Sequence, residues 1–168
     1  MPEWSVSFFW FALVYQLPAL LLGVLLRLVV RHPLLQAVFL LPGTVVHEFL
    51  HWLVGALLNG RPVSLSLWPR RAANGQWVLG SVGFLNVRWY NAVFIGLAPL
   101  LAVGVVLLLA PVPPVSGWRL QVSDWQRWLF ATPVLAMCLP SSTDLRLALR
   151  SWPLLLALVA VLGLRYYV

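Results

Sequence analysis

Apolar residues run through this chain in long stretches that are interrupted only by short polar segments. A helix of about 20 apolar residues crosses a bilayer core that is about 30 Å thick. Five stretches approach that length, and they cover roughly residues 6–29, 34–58, 91–110, 126–144 and 152–168. The pattern therefore predicts an all-α integral membrane protein with about five transmembrane helices.

The longest polar stretch lies between the second and third apolar stretches and has a different period. VSLSLW at 63–68 alternates apolar and polar residues, and WVLGSVGF follows at 77–84 after the pair Asn74-Gly75. Alternating segments on both sides of an Asn-Gly pair are the strongest short-range signal for a hairpin. We therefore predict a small β-hairpin over residues 63–84 at the membrane surface.

Composition agrees with a membrane protein. The chain is 62% hydrophobic and 9% charged, with a mean hydropathy of +0.92, whereas a soluble domain is about 25% charged. Its solvent is therefore mainly the lipid bilayer. The net charge of +7 comes from arginines that are scattered through loops and helix ends, which favours contact with lipid headgroups over nucleic acid. On the predicted topology six arginines fall on the hairpin side and five on the other, so charge alone gives little orientation.

His47, Glu48 and His51 form an H-E-x-x-H pattern inside the second apolar stretch. Residues four apart on a helix share one face, so both imidazoles can reach a single zinc ion while the glutamate stands beside it. Zinc lowers the pKa of a bound water to near 7, and a nearby carboxylate takes its proton as the water attacks a carbonyl. The pattern also fits a polar pair packed in a helix bundle. Because an ionised group in a membrane helix costs at least about 2.5–3.5 kcal/mol, the functional interpretation is favoured.

A catalytic zinc site needs a third protein ligand, and the candidates are Asp124, Asp144 and Cys138. Alternate crossing of the predicted spans carries Asp144 to the side of the histidine pair and Asp124 to the opposite side. Cys138 lies deeper on the same span and suits a site of two histidines and a carboxylate less well, while His32 lies at the far end of the second span. Asp144 is therefore the preferred ligand, and the alternative is that SSTD at 141–144 is a helix N-cap.

The chain resembles the site-2 protease family of intramembrane zinc metalloproteases. HEFLH at 47–51 is similar to the family's first motif, GLAP at 96–99 to its Gly-Pro segment, and LPSSTDL at 139–145 to its last motif. The order of the three motifs, with a hairpin between the first two, covers most of the chain. The chain differs from the family pattern at Met137, where Asn is usual, and at Leu145, where Gly is usual.

The resemblance implies a zinc metalloendopeptidase that hydrolyses peptide bonds in or near the transmembrane helix of another membrane protein. His47, His51 and Asp144 would bind Zn²⁺, and Glu48 would be the general base. The hairpin would present an unwound substrate strand on the cytoplasmic side of a bacterial-type cytoplasmic membrane. The three-helix catalytic core would comprise residues 34–58, 91–110 and 126–144, with an accessory helix at each end.

Two other functions remain open at this point. The chain could be a non-catalytic membrane protein of the same fold that binds partner helices and keeps a structural metal site, which four protein ligands would close. It could also be a metal transporter, although the first, third and fifth spans offer few polar groups for a path. Pro42-Gly43, one turn before His47, is expected to bend the second span.

Overall fold

The computed structural model describes residues 3–72, 75, 77–112 and 119–167, and it is mostly helical. The helices within these residues are α1 Glu3–Tyr15, α2 Leu17–Val29, α3 Pro33–Phe39, α4 Leu41–Leu57, α5 Ala92–Leu97, α6 Leu101–Leu108, α7 Val122–Met137, α8 Ser142–Ala148 and α9 Trp152–Tyr167. The 3₁₀ turns Ala98–Leu100 and Leu149–Ser151 join α5 to α6 and α8 to α9. The strands are β1 Pro62–Ser66, β2 Arg70–Arg71, β3 Trp77–Val78 and β4 Ser81–Phe84.

The first predicted span, residues 6–29, coincides with a long apolar helix. α1 and α2 continue each other through Gln16, which keeps helical backbone angles, and together they give an apolar helix over Phe8–Val29. Its 22 residues correspond to about 33 Å, which is enough to cross a bilayer core. Within the described part of the chain, this is the one unbroken helix that is long and apolar enough to do so.

The second predicted span, residues 34–58, is bent. α3 and α4 meet at Leu40 at an angle of 77°. Pro42 lies in the first turn of α4, where its missing N–H cannot continue the hydrogen-bond ladder of α3. The bend that the Pro42-Gly43 pair predicts is therefore present, and it separates the short α3 from the helix that carries the histidines.

The other predicted spans are shorter or broken as well. Ala92–Leu108 replaces the span 91–110 and is too short to count as a clear crossing. A second bent pair, Ser142–Leu154 with Val159–Arg165, meets at 57°. By length and composition the described residues provide one span, or three if each bent pair crosses once, so five transmembrane helices are not confirmed.

The fourth predicted span, residues 126–144, is wrong as a single helix. α7 ends at Met137, and α8 begins only at Ser142. Pro140 explains the break, because a proline removes a backbone donor and disfavours helical angles at the residue before it. Ser141 then starts α8 as its N-cap, with its hydroxyl accepting a hydrogen bond from the backbone of Asp144.

The predicted hairpin is confirmed as a small antiparallel element. β1 pairs with β4, with Ser66 opposite Ser81, and β2 pairs with β3. Gly75 has a φ of +78°, the left-handed conformation that a tight turn uses and that glycine adopts without strain. Its predicted turn partner, Asn74, lies outside the described residues.

α2 and α7 run parallel to each other in close contact. The hydroxyl of Tyr15 donates to Asp124 at the start of α7, and the guanidinium of Arg27 donates to the carbonyl of Ala136 at its end. Between these two contacts a Cβ on Gly23 would lie 3.0 Å from the Thr132 carbonyl oxygen. Small residues let membrane helices approach this closely.

The direction of α2 corrects the predicted topology. If each predicted span crosses the membrane in turn, Arg27 lies at the end of the molecule opposite the metal residues. Instead Arg27 contacts Ala136, whose neighbour Met137 accepts a hydrogen bond from His47. The reason is that α3 and α4, bent by 77°, return to this end instead of crossing as one straight helix.

Asp124 has a structural role at the other end of α7. Its carboxylate, 1% exposed, accepts hydrogen bonds from the Tyr15 hydroxyl, from the backbone N–H of Gln121 and from Arg127. Trp128, one turn later, donates to the carbonyl of Tyr15. Asp124 therefore caps α7 and holds the first helix to it, away from the histidine pair, as the sequence argument expects.

Candidate metal centre

α4 places its two histidines one turn apart on a buried face. His47 and His51 are 7% and 4% exposed, and their Nε2 atoms lie 3.2 Å apart. The spacing of four residues produces this arrangement, because such residues lie above one another on a helix. The face turns inward against α7 and α5.

Asp144 completes the group from the first turn of α8. Its Oδ2 lies 3.4 Å from the Nε2 of His47, and its Oδ1 lies 3.2 Å from the Nε2 of His51. One ligand atom from each of the three residues falls within 4.8 Å of the others, which is close enough for all three to hold one metal ion. The structure thus brings together the three predicted ligands.

The same aspartate also caps α8. Its Oδ2 accepts the backbone N–H of Ser141 at 2.7 Å, while its own N–H donates to the Ser141 hydroxyl. The N-cap interpretation and the ligand interpretation are therefore compatible, because the cap engages Oδ2 and fixes how the carboxylate faces the histidines. Because Asp144 lies in the first turn of α8, its carboxylate is held in place more firmly than it would be in a loop.

Two backbone carbonyls orient the imidazoles. The Nδ1 of His47 donates to the carbonyl of Met137 at 2.6 Å, and the Nδ1 of His51 donates to that of Ile95 at 2.7 Å. A carbonyl can only accept, so both Nδ1 atoms carry the proton, and in a neutral ring the Nε2 lone pair then points into the group. Metal-binding histidines commonly have such a partner, which fixes the ring and its tautomer.

Both carbonyls are available for local reasons. Met137 is the last residue of α7, where carbonyls have no partner within the helix. Ile95 lies four residues before Pro99, which has no N–H to donate to it. The Ile95 oxygen accepts the backbone N–H of Ala98, and the missing donor at Pro99 leaves its second lone pair for His51. Sequence reasoning missed both carbonyls, although Pro99 was a usable signal for the second.

The geometry requires a positive charge within the group. Two neutral imidazoles face each other through Nε2 lone pairs at 3.2 Å, and carboxylate oxygens lie within 3.4 Å of both. These electron-rich atoms repel one another unless a cation or added protons lie among them. Since hydrogen bonds hold both rings in this orientation, the residues fit a bound metal ion.

Glu48 lies beside the group and outside it. Its side chain is 7% exposed and is covered by the connection between β3 and β4. A Cβ on Gly80 would lie 2.6 Å from the Cγ and 2.7 Å from the Oε1 of Glu48. Any residue larger than glycine at this position would therefore displace the Glu48 carboxylate. The hairpin therefore packs directly on the predicted general base, and sequence reasoning did not identify Gly80.

The remaining candidates lie elsewhere. Cys138 is buried and its thiol donates to the carbonyl of Leu135. His32 is an exposed N-cap residue of α3. The group of three possible ligands found among the described residues does not include Cys138, His32 or Asp124.

Gly96 sets the distance between α5 and α8. A Cβ at this position would lie 2.5 Å from the carbonyl oxygen of Asp144 and 2.9 Å from the backbone nitrogen of Ala148. Both are backbone atoms, so an added methyl group must push α8 away from α5. We expect Gly96→Ala to shift Asp144 and to weaken metal binding, measured with zinc, by roughly 10–100-fold, the range seen when outer-shell partners of a metal are changed.

Competition with a fluorescent zinc chelator measures this effect in detergent. Gly104→Ala is the matched control, because a Cβ on Gly104 of α6 meets no atom within 4 Å. Equal zinc affinity for the two variants would show that the α5–α8 contact does not position Asp144.

Comparison with family models, with curated proteins and with solved structures finds no match for this chain. A functional conclusion therefore depends on the geometry of His47, Glu48, His51 and Asp144 alone.

Proposed function

We propose that the protein is an intramembrane zinc metallopeptidase that resembles the site-2 proteases. The observation that carries the proposal is the convergence of the His47 and His51 Nε2 atoms with the Asp144 carboxylate, while Glu48 stays beside them. Two histidines and a carboxylate are a ligand set that catalytic zinc sites use, and the metal's fourth position then belongs to water or substrate.

The ligand count favours an enzyme over the two alternatives. A structural zinc site is closed by four protein ligands, whereas the described residues offer three. Cys138, the sulfur ligand that could have closed the site, donates to a helix carbonyl instead. A transporter would need polar groups along a path through the membrane, and the first helix presents mostly exposed apolar side chains.

Each residue would have one task in hydrolysis. His47, His51 and Asp144 hold the metal, and the carbonyls of Met137 and Ile95 keep the rings in place. When bound, zinc supplies Lewis acidity toward a water and a peptide carbonyl. Glu48 takes the proton of the attacking water and later passes it to the leaving amine.

The hairpin gives the substrate a place to bind. A transmembrane helix hides its carbonyls in hydrogen bonds, so the cleaved segment must be extended. In the described residues β1 and β4 pair only with each other, which leaves an outer edge on each for a further strand. Gly80, directly before β4, contacts Glu48, so a strand added along β4 would pass close to the general base.

Positive charge is concentrated at the metal end. Arg27 contacts Ala136 near the metal residues, and on the topology proposed here we assign eight of the eleven arginines to this end. These are Arg27, Arg31, Arg61, Arg70, Arg71, Arg88, Arg146 and Arg150. We therefore propose that the metal end and the hairpin face the cytoplasm, following the positive-inside rule.

Labelling with a membrane-impermeant maleimide tests this orientation in a Cys138→Ser background. We expect Arg70→Cys on the hairpin to react in inside-out bacterial vesicles and not in intact spheroplasts. Leu120→Cys, before α7, should show the opposite behaviour. The reverse pattern would place the metal end outside.

The proposed activity is tested with purified protein in detergent and a panel of single-span membrane proteins. We expect cleavage in or near the transmembrane segment that stops with ortho-phenanthroline and returns when Zn²⁺ is added. The meta isomer, which does not chelate, is the control and should have no effect. If the zinc-loaded, well-folded protein binds a panel protein but cleaves none of them, the helix-binding alternative is favoured.

A further inference from the structure

An apolar cleft of about 300 Å³ lies between α3, the start of α4 and the hairpin. Its walls include Ala37 of α3, Thr44 of α4, and Trp68 and Leu79 of the hairpin region. No charged side chain occurs among the described residues that line it. Thr44 is the polar exception, and its hydroxyl donates to the carbonyl of Leu40 at 3.2 Å. The cleft is therefore suited to an apolar group.

The inner wall of this cleft adjoins the candidate site. Thr44 lies one helical turn before Glu48 on the same face of α4. On the opposite wall, Leu79 directly precedes Gly80, the residue that packs on the Glu48 carboxylate. A side chain bound in the cleft would therefore lie next to a peptide bond that reacts at Glu48.

We propose that the cleft is a specificity pocket for a large apolar side chain adjacent to the cleaved peptide bond. This inference rests on the proposed peptidase function and names the class of residue that the enzyme selects. The occupant is a side chain of an extended peptide, because the hairpin that would pair with the peptide also forms part of the cleft wall. Side chains of a strand alternate between its two faces, so a peptide along the hairpin directs every second residue toward the cleft.

The size of the cleft supports the same occupant. Pockets for whole small molecules have volumes of about 300–1,000 Å³, and this cleft is at the lower limit. It can enclose a leucine or phenylalanine side chain while the peptide backbone stays outside near Glu48. Ala37, which is half-buried in the wall, leaves part of that space open.

Peptide hydroxamates test the pocket without requiring turnover. The probes carry leucine or alanine next to the hydroxamate, and their binding to the zinc-loaded full chain is measured by calorimetry in detergent. We expect the leucine probe to bind at least about tenfold tighter, because each methylene in an apolar pocket changes discrimination by about 10-fold or more. Ala37→Phe, which fills the cleft, should reduce the preference to less than about twofold.

Val93→Phe is the matched control. It adds bulk to a second apolar cleft of about 420 Å³, between the end of α4 and α5, and should keep the leucine preference. Equal binding of the two probes to the wild type, no binding of either, or an unchanged preference in Ala37→Phe would overturn the pocket. Loss of the preference in Val93→Phe with its retention in Ala37→Phe would place the side chain in the second cleft instead.

The two proposals fail in different ways. Selective hydroxamate binding without cleavage of any panel protein would retain the cleft as a binding site for an apolar side chain and count against the peptidase. Cleavage that is equally fast after small and large apolar residues, with equal probe binding, would retain the peptidase and reject the pocket.

Discussion

In the proposed peptidase, Glu48→Gln is expected to slow peptide hydrolysis by about 10²–10⁴-fold while the zinc content stays unchanged. The amide is nearly the same size as the carboxylate, so the close contact with Gly80 is preserved. It cannot accept the proton of an attacking water, however, and loss of a general base costs about 10²–10⁴-fold in rate. Because Glu48 is not one of the three ligands, zinc content should match that of the wild type.

The measurement is the initial rate of substrate cleavage together with zinc per chain by mass spectrometry. Glu48→Asp is a second variant, which keeps the negative charge but moves the carboxylate back by one methylene. We expect its cleavage rate to lie between those of the wild type and Glu48→Gln. A Glu48→Gln protein that cleaves at the wild-type rate would exclude Glu48 as the base. Loss of zinc in this variant would instead indicate that Glu48 is a ligand.

Removal of a metal ligand is expected to have the largest effect on zinc content. His47→Ala and Asp144→Ala each take away one of three ligand groups, and the electron-rich atoms that remain hold a cation less tightly. The loss of affinity should exceed the roughly 10–100-fold that changes in outer-shell partners cause. Purified protein should therefore fall from about one zinc per chain to well below that.

Two variants separate ligation from other effects. His32→Ala removes an exposed histidine at the start of α3 and should retain zinc. Asp144→Asn keeps a side-chain oxygen in the first turn of α8 that can accept the Ser141 N–H, but it removes the charge of the ligand. If Asp144→Asn binds zinc as the wild type does, Asp144 contributes only through the cap.

The sequence was sufficient for the residues that act through side-chain spacing. His47 and His51 are four residues apart, and any regular helix brings such residues to one face. The hairpin followed from its alternation and its turn residues for the same reason. The small number of acidic residues and the alternate crossing of the predicted spans together favour Asp144, and the structure brings it to the histidines.

The route to Asp144 was nevertheless partly wrong. It assumed straight helices that cross alternately, whereas α3 and α4 are bent by 77° and α7 stops before Pro140. Such breaks depend on how neighbouring helices replace the lost hydrogen bonds, which a single sequence does not specify. The orienting carbonyls of Met137 and Ile95 were missed because every residue has a carbonyl, and only packing decides which one meets an imidazole.

The short helices around the metal residues have a consequence for the surrounding lipid. The helix Phe8–Val29 is about 33 Å long, whereas the 16 residues of α7 extend about 24 Å and Ala92–Leu108 about 25 Å. In the proposed multi-pass arrangement this hydrophobic mismatch with a core of about 30 Å compresses the bilayer on one flank of the molecule. The headgroup region and its water would then lie nearer to the metal residues, which would shorten the path that water takes to the buried Glu48.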